Sequence, residues 1–284
     1  MSNPVPTLRT ARSFLFAPAS DERKLARALD ADADAVIADL EDAVLPSEKS
    51  RAREIAAALL RPRRAGVLRL VRVNGTETEW FSDDVEAIAA IGLDGIVLPK
   101  ATPEAAAAAG ELGVAVVAIV ETAVGLLRAP ETAAASPVTC LMLGAVDLGL
   151  DLHLEPRPDG LELLHARSSI VLASAAAGLR PPVDRVWVDI RDAAGLSDDC
   201  ALARSLGFRA KACIHPDQVV VVNNGFAPTD RDAERARAIV AAFEKAEAEG
   251  IGAVALDGEM IDLPVVERAR ELLAETKRSV LHGD

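Results

Sequence analysis

Short apolar segments alternate along the chain with longer, Ala-rich amphipathic segments. Nearly continuous apolar character is typical of parallel strands that are buried on both faces. Apolar runs bounded by turn or capping residues predict eight strands, at 12–17, 34–40, 67–73, 94–98, 114–121, 138–144, 184–190 and 209–214. The amphipathic segments, several of which begin with a capping residue, predict helices at 21–30, 47–60, 79–91, 102–110, 123–134, 160–178 and 197–206.

This alternation predicts an α/β fold, and eight strand–helix units in about 210 residues match a (β/α)8 TIM barrel. An open doubly wound sheet is the alternative, but it would be expected to carry a GxGxxG turn after an early strand. Neither FAPAS nor LEDAV provides that turn. We therefore predict a barrel over 9–225, followed by a C-terminal helical and hairpin extension over 226–284.

Composition adds constraints on the core and on the compartment. Half of the residues are hydrophobic but only 3% are aromatic, so the core must consist of aliphatic side chains. The sequence has no apolar run of membrane-spanning length and no apolar signal core at its start, so we expect a cytoplasmic protein with no membrane partner. Cys140, Cys200 and Cys213 have no CxxC spacing and are predicted to be inert core residues.

Charge limits the possible partners. A net charge of −13 and the shortage of aromatic residues argue against a nucleic acid. An anionic substrate would need a local basic patch, and the first strand with its following helix offers one, formed by Arg9, Arg12, Arg23, Lys24 and Arg27. Solvated surface charge is an equally good interpretation of any one of these residues.

Polar residues follow several predicted strands at their carboxyl ends. Glu121 ends VAVVAIVE and Asp147 ends TCLMLGAVD, while Glu41 and Asp42 follow ADAVIADL and Arg72 follows VLRLV. Because the carboxyl ends of parallel strands meet at one rim, we expect these side chains to converge. Two carboxylates without a nearby His or Cys favour Mg²⁺, or alternatively Mn²⁺, over Zn²⁺.

A series of motifs in chain order resembles the citrate lyase beta-subunit family. This family includes malyl-CoA and citramalyl-CoA lyases, within the aldolase superfamily that acts on 2-oxo acids. The motifs are RSFLFAPAS, ADAVIADLEDAV, RVNG, GIVLPKA, IVETAVGLL, GAVDLGLDLH, KACIHPDQ and GAVALDGEMIDLP. LPK or RVNG alone would be weak, but LEDAV and GEMIDLP in register with the others are specific.

The resemblance implies a Mg²⁺-dependent barrel that breaks or forms a carbon–carbon bond between a 2-oxo acid and an acyl-CoA thioester. It places the metal carboxylates at Glu121 and Asp147 and the substrate-binding arginine at Arg72. It also implies that Glu41 and Asp42 contribute to catalysis by orienting Arg72 and the waters on the metal.

Further assignments depend on the resemblance as well. Asp262 corresponds to an aspartate that serves as acid or base across a subunit interface, so the resemblance implies a homo-oligomer, most simply a trimer. We also assign substrate contacts to Gly144 and Arg12. Ala19 departs from the pattern, because family members often have Gly at this position, and the departure affects the region expected to bind the thioester end.

Other interpretations remain open from the sequence. Asp262 could simply cap the helix that begins near Pro264, and Lys100 could form a Schiff base. The chain could be a metal-dependent aldolase for free 2-oxo acids. It could also be one subunit of a multi-subunit citrate lyase that acts on a thioester carried by an acyl carrier protein.

Overall fold

Eight parallel strands form a closed barrel in chain order, and β1 pairs with both β2 and β8. The computed structural model describes residues 7–89 and 91–280. The barrel strands are β1 (Ser13–Pro18), β2 (Ala35–Asp39), β3 (Leu68–Arg72), β4 (Gly95–Leu98), β5 (Val116–Val120), β6 (Val138–Leu143), β7 (Val183–Asp184) and β8 (Ala210–Cys213). Closure removes every free strand edge from the barrel, and it confirms the predicted (β/α)8 fold.

Helices cover the outside of the barrel. They are α1 (Glu22–Leu29), α2 (Lys49–Leu60), α3 (Phe81–Ala89), α4 (Pro103–Gly110), α5 (Ala123–Leu127), α6 (Ala129–Ala134), α7 (Ala145–Asp151), α8 (Leu164–Ala176), α9 (Ala193–Leu206) and α10 (Pro216–Phe226). Asp21, Thr102 and Thr122 each accept a backbone N–H at a helix start, as the capping residues in the sequence predict. Asp192 does the same for α9, which begins at Ala193 and not at 197 as predicted.

The seventh strand is much shorter than predicted. The sequence predicts a strand at 184–190, whereas β7 ends at Asp184 and an irregular segment follows. Asp189 accepts a backbone N–H two residues further along, and the Trp187 carbonyl accepts from the Gln218 side chain at 2.8 Å. These local and side-chain hydrogen bonds replace the strand ladder, so apolar alternation alone overestimates the strand.

Two helices of the barrel were not predicted, and one predicted helix is divided. Helix α7 starts directly after β6, so Asp147 lies in the first turn of a helix and not at the end of a strand. Helix α10 follows β8. The predicted helix at 123–134 is interrupted at Arg128, where Pro130 enters the first turn of the next helix.

Alternate strand residues point into the barrel and fill it with apolar side chains. The buried interior includes Phe14, Ile37, Leu70, Val117, Ile119 and Met142. The residues between them pack instead against the helices in a larger outer core. Because side chains alternate along a strand, Asp39, Arg72 and Glu121 continue the inward rows of β2, β3 and β5.

A buried ionic cluster joins β7 and β8 to the helices outside them. Lys211 Nζ contacts Asp184 Oδ2 at 2.6 Å and Asp199 Oδ2 at 2.5 Å. Arg167 contacts the same two aspartates at 2.8 Å. Burial raises the pKa of Asp199, but the charges of Lys211 and Arg167 outweigh burial and hold it below its usual range. The cluster thus joins helices α8 and α9 to strands β7 and β8.

A second compact unit follows the barrel, with the division between Phe226 and Ala227. It contains α11 (Asp230–Ala248), a hairpin of β9 (Val254–Leu256) and β10 (Glu259–Ile261), and α12 (Leu263–Val280). Phe243, Ile261 and Val266 form its core. The hairpin and the helices agree with the predicted C-terminal extension.

The described residues contain no helix that is both long enough and apolar enough to cross a membrane. Cys140, Cys200 and Cys213 are free and buried. Burial raises the thiol pKa of Cys200 to about 11 and that of Cys213 to about 12. These thiols stay protonated near neutral pH, as expected of unreactive core residues.

We predict that Asp199→Asn lowers the free energy of unfolding by about 3–5 kcal/mol at pH 7, because it leaves buried cations without their partner. The pKa of Asp199 is lowered in the fold, so its stabilisation is present above the unfolded pKa and is lost as pH falls through the folded value. Urea titration measures the difference. The adjacent exposed Asp198→Asn is the control, and equal effects of the two substitutions would contradict the assignment.

Candidate active site

Inward-facing polar residues lie at the carboxyl rim of the barrel on neighbouring strands. Asp39 and Arg72 are direct partners in the register between β2 and β3. Arg72 Nε and Nη2 donate to the two carboxylate oxygens of Asp39, both at 2.7 Å. The Phe16 ring lies 5.2 Å from the Arg72 guanidinium carbon. The barrel therefore presents a guanidinium in one fixed plane.

The acidic motif after β2 lies against the same guanidinium. Arg72 Nη1 is 2.9 Å from Glu41 Oε2 and 3.5 Å from Asp42 Oδ2. Burial lowers the pKa of Arg72, but its hydrogen bonds to Asp39 and the charge of Asp39 outweigh burial, so the net shift is upward. Arg72 is thus a permanent cation. The structure brings Arg72, Glu41 and Asp42 together, as the sequence predicts.

Lys100 connects two carboxylates of the rim. Its backbone N–H donates to Glu121 Oε1 at 2.7 Å, and its Nζ donates to Glu41 Oε1 at 2.7 Å. Its φ of 46° lies in the left-handed region that favours glycine. A lysine held there is strained, as residues at functional sites often are.

The charge state of Lys100 bears on the Schiff-base alternative. Burial lowers the pKa of Lys100. The hydrogen bond to Glu41 and the charge of Glu41 raise it by more than burial lowers it, so the net shift is upward. A Schiff-base lysine needs a lowered pKa, because only the neutral amine attacks a carbonyl. The surroundings of Lys100 therefore favour an ion-pairing role.

Glu121 is the most strongly perturbed carboxyl of the rim. Burial, together with the charges of Asp147 and Glu41, raises its pKa to about 8. Gly144 makes room for it, because a Cβ at position 144 would lie 2.5 Å from Glu121 Oε2. Gly144 directly precedes α7, which carries Asp147. Glu121 follows β5, Asp147 lies in the first turn of α7 after β6, and the charge of Asp147 reaches Glu121, so the structure brings the predicted pair to the same rim.

The donor set fits a hard divalent cation. Glu41, Asp42, Glu121 and Asp147 bring more negative charge to this rim than Arg72 and Lys100 balance. Within residues 7–89 and 91–280, no group of three or more His, Cys, Asp and Glu side chains is arranged to hold a metal. Glu121 and Asp147 would thus supply two oxygen ligands and leave the other positions to water and substrate, as is usual for Mg²⁺.

A buried network beneath the rim, which the strand pattern does not predict, holds the acidic motif in place. Lys49 Nζ donates to the carbonyls of Leu40 at 2.6 Å and Glu41 at 2.8 Å, and to Asn74 Oδ1 at 2.7 Å. Asn74 Nδ2 in turn donates to Asp84 at 2.6 Å. Asn74 belongs to the RVNG motif noted above, which is the signal that could have identified it, whereas Lys49 lies outside the motifs.

Arg12 lies away from this rim, which contradicts its assignment to substrate binding. It precedes β1, so it lies at the amino end of the barrel, about 20 Å from the carboxyl end of a six-residue strand. Its backbone N–H donates to Asp34 Oδ2 at 2.7 Å, and its guanidinium lies 3.5 Å from the same oxygen. Sequence proximity to the first strand did not distinguish the two ends of the barrel.

Asp262 lies in the C-terminal unit, at the start of α12. Its Oδ1 accepts the Val265 N–H at 3.4 Å, and its carbonyl accepts the Val266 N–H at 3.0 Å. Within one chain these contacts are those of a helix cap, the alternative considered from the sequence. A catalytic role for Asp262 remains a proposal.

A parallel barrel that carries two carboxylates suited to a divalent cation, and a fixed arginine, at its carboxyl rim is typical of metal-dependent barrel enzymes. Residues 12–216 match the family model described as HpcH/HpaI aldolase/citrate lyase. The chain belongs to this family, which confirms the resemblance in the sequence motifs.

Similar proteins match this chain over nearly its whole length. The (3S)-malyl-CoA thioesterase of Cereibacter sphaeroides is 39% identical over 276 residues, which cover 96% of each chain. Citrate lyase subunit beta of Escherichia coli is 36% identical, with 95% of each chain covered. The crystal structure of CitE from Mycobacterium tuberculosis with magnesium, acetoacetate and coenzyme A has a TM-score of 0.83 at 35% identity, and covers 95% of this chain and 100% of that one.

We predict that Mg²⁺ binding releases a proton from Glu121, whose pKa is raised to about 8. Below that pH the cation competes with the proton, so affinity should rise up to about tenfold per pH unit and level off above it. Calorimetry at pH 6.5 and pH 7.5, in buffers of different ionisation enthalpy, measures affinity and proton release. Glu111→Gln, at an exposed site, is the control. Equal affinities at the two pH values would contradict the prediction.

Proposed function

We propose that the chain is a Mg²⁺-dependent carbon–carbon lyase that cleaves a citryl-, malyl- or citramalyl-type 3-hydroxyacyl thioester. The products would be an acetyl thioester and a 2-oxo acid such as oxaloacetate, glyoxylate or pyruvate. The observation that carries the proposal is the joint placement of a fixed guanidinium, Arg72, and the buried carboxyl Glu121 at one rim. The relative from Mycobacterium tuberculosis, bound to oxaloacetate and magnesium in a further crystal structure, supports it.

The reaction moves negative charge in every step. A base takes the hydroxyl proton, the bond between the second and third carbons breaks to give the carbonyl group of the 2-oxo acid, and the thioester enolate then takes up a proton at carbon. Glu121 and Asp147 would hold Mg²⁺, which would supply a Lewis acid for the oxygen atoms of the acid portion. Arg72 presents Nη1 towards an enolate or carboxylate oxygen and contributes about 3 kcal/mol if it acts as an oxyanion-hole donor. Glu41 and Asp42 keep this edge of Arg72 oriented.

A basic pocket at the start of α1 supports a coenzyme A thioester as the substrate. The pocket has a volume of about 480 Å³, and Arg23, Lys24 and Arg51 line it together with Asp21 and Glu22, so its cations outnumber its carboxylates by one. It opens after β1, on the same side of the barrel as the rim. Phosphate groups of coenzyme A would find a local excess of positive charge there.

Thioester hydrolysis is the second candidate, because one relative is a (3S)-malyl-CoA thioesterase. The two reactions differ in the bond that breaks. A lyase releases a 2-oxo acid and leaves the thioester intact, whereas a thioesterase releases the hydroxy acid and free coenzyme A. Product analysis separates them.

Two further alternatives concern the form of the substrate. The Escherichia coli relative is a subunit of citrate lyase, so a thioester on an acyl carrier protein, or partner lyase subunits, would be required if this chain works in such a complex. An aldolase for free 2-oxo acids would not need the basic pocket.

We also propose a cytoplasmic location, which the free, buried cysteines support.

Exposed apolar side chains support a homo-oligomer. Val124 and Leu127 on α5 are 58% and 82% exposed, and Val146 and Leu150 on α7 are 61% and 75% exposed. Neighbouring surface leucines and valines of this kind mark an association surface. We propose a trimer in which the C-terminal unit covers the barrel mouth of a neighbour and Asp262 delivers the proton to the enolate carbon.

We predict that the purified protein with Mg²⁺ releases a 2-oxo acid from at least one of the malyl-, citramalyl- and citryl-CoA thioesters. We also predict that the Arg72→Lys variant loses most of this activity while remaining folded. Lysine keeps the charge but not the planar fork that pairs with Asp39. A coupled dehydrogenase assay detects the 2-oxo acid. Release of hydroxy acid alone would favour the thioesterase, and no reaction with any coenzyme A ester would exclude the stand-alone lyase.

We predict that mixing inactive Asp262→Asn protein with inactive Arg72→Ala protein restores part of the activity after subunit exchange. Some interfaces would then combine an intact Arg72 with an intact Asp262. Native mass spectrometry follows the exchange, and the assay above follows activity. An Asp262→Asn variant as fast as the wild type, or an active monomer, would return Asp262 to helix capping.

A further inference from the structure

We propose that Asp39 is a positioning residue that turns the end of β2 into a preformed receptor for the Arg72 guanidinium. The role deepens the proposed function, because its kinetic consequence depends on Arg72 facing a substrate anion. Asp39 itself faces Arg72 and the backbone, so it acts on the reaction through Arg72.

The Asp39 carboxylate receives four N–H groups. Oδ1 accepts from Arg72 Nε at 2.7 Å and from the Glu41 backbone at 2.9 Å. Oδ2 accepts from Arg72 Nη2 at 2.7 Å and from the Ala43 backbone at 3.2 Å. Backbone N–H groups thus fix the position of both carboxylate oxygens. The Asp39 side chain therefore loses little further conformational freedom when it pairs with Arg72.

The clamp leaves one edge of the guanidinium facing the rim. Asp39 takes Nε and Nη2, and the Phe16 ring lies 5.2 Å from the guanidinium carbon. Nη1 is left towards Glu41 and Asp42. The Asp39 side chain is 4% exposed and that of Arg72 is 12% exposed, so water competes weakly for these bonds. Because Nη1 contacts Glu41 at 2.9 Å, a substrate anion would take the place of that carboxylate, while Asp39 keeps the plane of the guanidinium fixed.

The length of the aspartate side chain matches its place in the barrel. Asp39 and Arg72 are register partners on adjacent strands and point the same way. A longer glutamate would push the guanidinium away from the strand, and an asparagine would face one Arg72 N–H with its own N–H. The receptor therefore requires both the charge and the reach of aspartate.

The competing explanation is that Asp39 only braces the loop that carries Glu41 and Ala43. In that case the loss of Asp39 would weaken the loop equally whether or not a guanidinium is present. A receptor role predicts something different, because it makes the affinity of the site for a guanidinium group depend on Asp39.

Chemical rescue separates these explanations. In Arg72→Gly, added guanidinium ion at millimolar concentration should restore part of the 2-oxo acid release with saturation. In Asp39→Asn/Arg72→Gly, half-saturation should need at least about tenfold more guanidinium, given the loss of charge-assisted bonds. An equal half-saturation concentration in the two variants, or no rescue of Arg72→Gly at all, would overturn the proposal.

A second readout does not need the reaction. The ¹⁵N-detected Nε–H signal of Arg72, assigned by its loss in Arg72→Lys, should exchange slowly with water in the wild type and at least about tenfold faster in Asp39→Asn and Asp39→Glu. Unchanged exchange would contradict the clamp even if activity fell. Glu104→Gln, which removes an exposed bidentate partner of Arg128, is the control and should alter neither readout. If the wild type cleaves no thioester, the proposed function fails while the exchange experiment still decides the clamp.

Discussion

The constraint on which the site depends is an excess of carboxylates at one end of the barrel. Asp39, Glu41 and Glu121 are buried there, and Asp42 and Asp147 are close by. Arg72 and Lys100 are the cations that face them, and they leave the group net negative. Like charges in a region of low dielectric are costly, so the fold tolerates them only with a proton or a cation in place. Burial, with the charges of Asp147 and Glu41 added to it, raises the pKa of Glu121, which is a sign of this demand.

The ionic cluster on the β7 and β8 side shows the opposite balance. There Lys211, Arg167 and Arg185 contact Asp184 and Asp199, and the pKa of Asp199 is held below its usual range. In this cluster three cations face two carboxylates, and every carboxylate oxygen of Asp184 and Asp199 contacts a cation, so the cluster holds strands to helices. At the rim the carboxylates outnumber the cations, and that difference separates a structural charge cluster from a site prepared for a ligand.

Much of this arrangement follows from patterns that a sequence carries. Nearly continuous apolar runs predict strands β2, β3 and β5, and the alternation of side chains along a strand places Asp39, Arg72 and Glu121, at their carboxyl ends, in the inward rows. The apolar pattern does not single out Asp39, because it lies at the end of an apolar run, directly before the acidic pair Glu41 and Asp42. Strand register, which pairs it with Arg72, would have identified it.

Other features depend on three-dimensional contacts that local patterns do not contain. Arg12 was misplaced because proximity to a strand says nothing about which end of the barrel a residue occupies. Strand β7 was overextended because side chains from elsewhere, such as Gln218, take its backbone hydrogen bonds. The left-handed backbone of Lys100 has no sequence signal either, since lysine rarely adopts it.

The most direct measurement is a crystal structure of the protein grown with Mn²⁺ and pyruvate, in which the anomalous signal of manganese locates the cation. The account predicts one strong peak about 2.1 Å from carboxylate oxygens of both Glu121 and Asp147, with Arg72 still paired to Asp39. A cation bound elsewhere, or an Arg72 side chain turned away from Asp39 in the complex, would contradict it.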